Sequence, residues 1–86
     1  VSDILFLEAY GHYTKIHLTK NTILSHQKIS SYEAMFSSDD FVRVHKSFIV
    51  AIKKIGLIEG NRITIESHQI PIGQTYRAHL NSLFFK

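Results

Sequence analysis

The chain has no cysteine and no tryptophan, and only one proline and one methionine among its 86 residues. Without cysteine there is no disulfide and no thiolate metal site, which suits a reducing, cytoplasmic compartment. Apolar runs are short, none approaches the length of a membrane span, and no secretory signal opens the sequence, so no membrane contact is expected. Acidic charge is in the minority. Ten Lys and Arg face seven Asp and Glu, for a net charge of +3, and the pI is near 9.3. This balance permits nucleic acid as a partner without requiring it. The signatures of catalysis are missing as well. The six histidines, His12, His17, His26, His45, His68 and His79, form no HExxH pattern and no helical i, i+4 pair. No glycine-rich phosphate loop leads from a strand into a helix, and Ser47 near His45 has no nucleophile-elbow signature. The expectation is no enzyme, no metal and no cofactor.

What is present is a chain that can bury a core, with 44% hydrophobic and 12% aromatic residues. Its length allows one domain, residues 1–86. It starts at Val1 with strand-like sequence almost at once, as expected for the C-terminal part of a longer regulator.

Most of the pattern has period two. Ile4-Leu5-Phe6-Leu7 reads as a strand buried on both faces, ended by Ala9-Tyr10-Gly11-His12. Tyr13 to Thr19 alternates, Lys20-Asn21 turns, and Thr22-Ile23-Leu24 returns as a hairpin partner. Gln27 to Ser38 changes to helical spacing, with Ile29, Tyr32, Met35 and Phe36 on one stripe. Ser25 or Ser30 is its candidate cap, and Ser30 with Glu33 fits a capping box. A second hairpin pairs Ile55–Ile58 with Arg62–Glu66 across a Glu59-Gly60-Asn61 turn. Ser67-His68-Gln69 reads as a turn before Ile70-Pro71-Ile72, an edge strand because Pro71 lacks a donor. The tail, Ala78 to Lys86, places Leu80, Leu83 and Phe84 at helical spacing, as a short helix or one edge of a dimer contact. The expected fold is mostly β, an elongated multi-strand domain with one or two short helices. Val42, Val44, Phe48, Ile16, Leu18, Ile63 and Ile65 are the expected core, with Phe36 packed on them.

The segment Phe41-Val42-Arg43-Val44-His45-Lys46-Ser47-Phe48-Ile49-Val50 is the most informative. Strict alternation puts Arg43 and His45 on one side and Val42 and Val44 on the other. Lys46 and Ser47 fall on a bend where the apolar pattern breaks. Two further polar clusters sit at turns: Gly11-His12-Tyr13 with Lys15, and Gly73-Gln74-Thr75-Tyr76-Arg77. Arg and Lys bind phosphates or guanine edges, and Gln can pair with adenine in bidentate fashion. A β-rich protein-interaction module, with its cations serving solubility, is an alternative. So is a single-strand nucleic-acid binder that stacks bases on Tyr10, Tyr13 and Tyr76.

These three clusters, in this order and at these separations, resemble the LytTR-type DNA-binding domain, the output module of many bacterial response regulators. The resemblance runs from Ile4–Tyr13 through Phe41–Val50 to Ile70–Arg77, essentially the whole chain. It implies an elongated β fold of about ten strands with a short helix. It also implies sequence-specific binding of duplex DNA by loops in successive major grooves, and transcriptional regulation. Carried over by position, base reading falls on His12 and Tyr13, on Lys46 after His45, and on Gln74. Lys15, Arg43, Ser47, Thr75, Tyr76 and Arg77 complete the implied DNA-binding set. The implied partners are direct-repeat promoter DNA, an N-terminal receiver domain and a second copy on the DNA. Two positions depart from the family pattern. Gln74 replaces the usual Arg or Lys, which favours adenine over guanine. Ala51 stands where Asn is usual.

Overall fold

The computed structural model describes residues 3–84. Among them are eight strands and two α-helices. The strands are β1 (Ile4–Tyr10), β2 (Tyr13–Leu18), β3 (Thr22–Ser25), β4 (Phe41–His45), β5 (Phe48–Ala51), β6 (Leu57–Glu59), β7 (Arg62–Ile65) and β8 (His68–Pro71). The helices are α1 (Ile29–Met35) and α2 (Arg77–Phe84), and short 3-10 turns span Ile52–Lys54 and Gln74–Tyr76. The shape is elongated, 35 Å long against 24 and 21 Å.

A five-stranded antiparallel sheet in the order β3-β2-β1-β5-β4 forms the frame, and β6-β7-β8 form a second, three-stranded sheet. The large sheet is covered on both faces, which is why β1 is a continuous apolar run. One face carries Leu7, Phe41, Ile49 and Ala51 against Ile29 and Tyr32 of α1. The other carries Leu5, Phe6, Val42, Val44 and Val50 against Ile63, Ile65 and Ile70 of the small sheet and Leu80 of α2. A register irregularity between Ile4 and Phe6 turns both Leu5 and Phe6 into this second core.

The sequence expectations need several corrections. The single expected core is two cores, because both faces of the sheet are covered. Phe36 belongs with Phe41 on the α1 side, not with Val42, Val44, Ile63 and Ile65. Ile16, Leu18 and Phe48 are only half-buried: Ile16 packs at the margin of the α1-side cluster, and Phe48, at the start of β5, packs at the margin of the other. Met35 is 59% exposed and leaves the helix stripe altogether.

The helix is shorter than Gln27–Ser38, and neither serine caps it. Lys28 occupies the N-cap without a side-chain bond. Ser25 is used instead by the preceding loop: its hydroxyl pairs with the Tyr32 hydroxyl, and its Oγ accepts the Gln27 amide at 3.3 Å. Gln69 and His68 are not a turn but the start of β8, paired with Thr64 and Ile65. The turn is Glu66-Ser67, with Glu66 at φ +54° in the left-handed region. Ile55 and Gly56 precede β6 rather than forming part of it. Pro71 does lie on an edge strand, and the tail does form a helix with Leu80 buried. The tail's last two residues lie outside the described residues.

Candidate nucleic-acid interface

Three turns meet at one end of the large sheet. β1 runs to Tyr10, crosses Gly11-His12 at a glycine φ of +62°, and returns from Tyr13. β5 begins at Phe48, opposite Glu8 of β1, so the β4–β5 turn at Lys46-Ser47 lies beside the end of β1. The Ala9 amide donates to the Ser47 carbonyl at 2.7 Å and joins the two. The centres of these hairpins are two strand spacings apart, about 10 Å. The third turn joins through the Gly73 amide, which donates to the Val44 carbonyl at 2.6 Å. A β-carbon on Gly73 would lie 3.0 Å from Tyr76 Cδ2 and 3.4 Å from the His45 Cα, so the two turns approach to van der Waals contact and any side chain there would press on the Tyr76 ring.

In the first turn His12 and Tyr13 are exposed. Tyr13 meets His26 edge-on at a centroid distance of 5.0 Å. The Lys15 ammonium lies 4.1 Å from the centre of the Tyr10 ring, a cation–π contact on a half-exposed side chain.

The second turn differs from strict alternation. Register shifts between Arg43, opposite Ile49, and His45, opposite Phe48. Directly opposed residues share a face, so this bulge puts Arg43 on the α1 side and swings His45 to the small-sheet side. Arg43 and His45 therefore do not share a side. His45 packs edge-on against Phe48 at 5.6 Å, and its Nδ1 accepts the Ser47 amide at 3.1 Å. Arg43 reaches the opposite way. Its Nη1 donates to the Glu33 carboxylate of α1 at 2.8 Å, its Nε to the His45 carbonyl at 3.3 Å, and its Nη2 to the Lys46 carbonyl. Lys46 is exposed and extends from the turn.

In the third turn Gln74 and Thr75 are exposed, while Tyr76 is half-buried behind Gly73. Gln74, Asn61, Arg77 and Asn81 line a shallow polar hollow. The Arg77 guanidinium is engaged, with Nη1 donating to the Gly60 carbonyl at 2.6 Å and to the Asn61 side-chain oxygen. Arg62 in turn donates to Gln69 at 3.1 Å. All three arginines are thus held by protein oxygens, and the cations that project from the turns are lysines.

The sequence reading brought His12, Lys46 and Gln74 to notice, and the fold gathers their turns. It missed Glu33 as the partner of Arg43, Asn61 as the partner of Arg77, and His26 beside Tyr13. Only Glu33 left a signal, as an acid on the helix preceding the Arg43 strand. Among the described residues no group of three or more His, Asp or Glu converges as a metal site. No helix among them is long and apolar enough to cross a membrane.

Comparison with known proteins agrees with this geometry. The fold matches a solved LytTr DNA-binding domain from Bacillus cereus with a TM-score of 0.91, covering 99% of this chain and 84% of that one at 23% identity. The CO-responsive transcriptional regulator RcoM of Rhodospirillum rubrum is 33% identical over 54 residues, covering 63% of this chain and 23% of the regulator. The heme-containing CO-sensing transcriptional regulator RcoM 1 of Paraburkholderia xenovorans is 29% identical over 90 residues, covering 96% of this chain and 34% of the regulator. The chain spans about a third or less of the length of these relatives. The family model described as the LytTr DNA-binding domain matches residues 1–85. With three polar turns gathered at one end of this β frame and the family match over nearly its whole length, the chain belongs to the LytTr DNA-binding domain family, whose members bind DNA in transcription regulation.

Proposed function

We propose that this domain reads duplex DNA with its three gathered turns: His12 and Tyr13 from the first, Lys46 from the second, and Gln74 with Thr75 from the third. The carrying observation is the pair of backbone bonds, Ala9 to Ser47 and Gly73 to Val44, that hold these turns in fixed relation. Fixed spacing on a rigid scaffold favours groove reading over loose electrostatic adhesion. Lys46 suits a guanine edge and Gln74 an adenine edge. Lys15 and the Ser47 hydroxyl are placed to meet phosphates. Arg43 and Arg77, whose guanidinium groups are already engaged, act on DNA only by shaping the turns.

In the whole protein the domain serves as the output of a regulator, with two copies on direct-repeat half-sites. A receiver domain that brings the copies together is the input most in keeping with the family resemblance. The test is selection of bound duplexes from a random pool, followed by competition with single strands. Enrichment of a repeated motif with half-sites about one helical turn apart is expected. Equal recovery of all duplexes overturns the reading. Preference for single strands overturns it in favour of base stacking on Tyr10, Tyr13 and Tyr76.

A further inference from the structure

We infer that Arg43 is a positioning residue, anchored by Glu33 of α1, that holds the Lys46-Ser47 turn in the shape from which Lys46 reads a base. This rests on the proposed reading of DNA by that turn.

A two-residue turn leaves carbonyls pointing outward, where water would satisfy them and the turn would exchange shapes. Here those groups are engaged one by one. The His45 and Lys46 carbonyls accept from Arg43 Nε and Nη2. The Ser47 amide donates to His45 Nδ1 at 3.1 Å, and the Ser47 carbonyl accepts from Ala9 at 2.7 Å. The remaining face of the guanidinium is fixed by the Glu33 carboxylate at 2.8 Å. Arg43 is only 16% exposed as a side chain, while Glu33 is 50% exposed, so the guanidinium lies inward and its charge is met from the solvent side. A phosphate approaching it would meet the Glu33 carboxylate, whose charge opposes it. Only a planar fork of several N–H donors can span two carbonyls and a carboxylate together. A lysine ammonium at the same place retains the charge but loses the span. Lys46 then projects from a turn whose neighbouring backbone is held, so little ordering remains to be lost on binding.

The variants are Arg43→Lys, Glu33→Gln, Lys46→Ala and the double variant Arg43→Lys with Lys46→Ala. Each is measured on the selected duplex and on a scrambled duplex, and amide hydrogen exchange is followed without DNA. Arg43→Lys is expected to reduce the preference for the selected duplex about tenfold. Lys46→Ala should then cost no further preference in that background, because the two act as one unit. The Ser47 amide is expected to exchange about tenfold faster while the Leu7 and Val50 amides keep their protection. Glu33→Gln is expected to move both readouts the same way by a smaller amount. Additive losses from Arg43→Lys and Lys46→Ala overturn the inference. So does unchanged Ser47 exchange, which makes Arg43 a direct contact or a plain stabiliser. If the unaltered domain prefers no duplex, the DNA reading falls, yet the exchange arm still decides whether Arg43 holds the turn.

Discussion

Gly73 donates its amide to the Val44 carbonyl at 2.6 Å, and through that bond the third turn is seated on the second. The seat is tight against the Tyr76 ring. A β-carbon on Gly73 would meet Tyr76 Cδ2 at 3.0 Å and His45 Cα at 3.4 Å. Gly73→Ala should therefore shift the Tyr76 ring behind the third turn and, through it, lower the preference for a selected site by up to about tenfold. The backbone at Gly73 is ordinary, with φ −71°, so folding should be altered little. Parallel melting and binding curves check this. A variant that binds normally shows that the position of the Tyr76 ring does not matter to binding.

Salt dependence should be shallower than a count of basic residues near the turns implies. Lys15, Arg43, Lys46 and Arg77 lie there, and four phosphate contacts would give a log–log slope of about −3.6. Two of the four are held by Glu33, carbonyls and Asn61. Lys15 and Lys46 alone give a slope of about −2 per domain. Titrations at several salt concentrations measure it, and a slope near −4 means that both arginines contribute phosphate contacts as well.

Gln74 should set a base preference. Gln74→Arg is expected to move the selected base at its position from adenine toward guanine, and Gln74→Ala to remove about 1–3 kcal/mol of discrimination there. Repeating the selection with each variant reads this directly. An unchanged selected sequence places Gln74 on the backbone.

Burial predicts two classes of stability change. Ile63 and Ile65 are fully buried between the sheets, and either residue changed to Ala should cost about 2–5 kcal/mol, a large share of the stability of so small a domain. Leu24→Ala, at 50% exposure on the outer strand, should stay within about 0.5 kcal/mol. Denaturant midpoints separate the two. A large loss at Leu24 would show that the face is covered in solution.

The turn at Glu66 should be improvable. Its φ of +54° disfavours a residue with a β-carbon. Glu66→Gly should raise stability by about 0.5–1 kcal/mol, since the relief exceeds the added chain entropy of glycine. Binding should be unaffected, because β7 and β8 carry this turn to the end opposite Gly60 and Gly73. A lower melting temperature would show that chain entropy dominates.

Much of the architecture was legible in order of residues. Alternation revealed the strands of both hairpins, helical spacing revealed α1 and α2, and Pro71 marked an edge. Local sterics and hydrogen bonding suffice for these, because they act between residues a few places apart. The polar character of the three turns was legible for the same reason. What required the tertiary structure was the register between distant strands. The bulge before His45 moves that ring to the opposite face from Arg43, and no alternation pattern displays an irregularity that only a paired strand defines. The division of the core in two follows from α1 and the small sheet covering opposite faces, which depends on chain crossings. The partners of the arginines, Glu33 for Arg43 and the Gly60-Asn61 turn for Arg77, lie 10 to 17 residues away in sequence. Sequence alone determined which side chains carry charge and donors; packing decided which of them face DNA and which hold the turns that do.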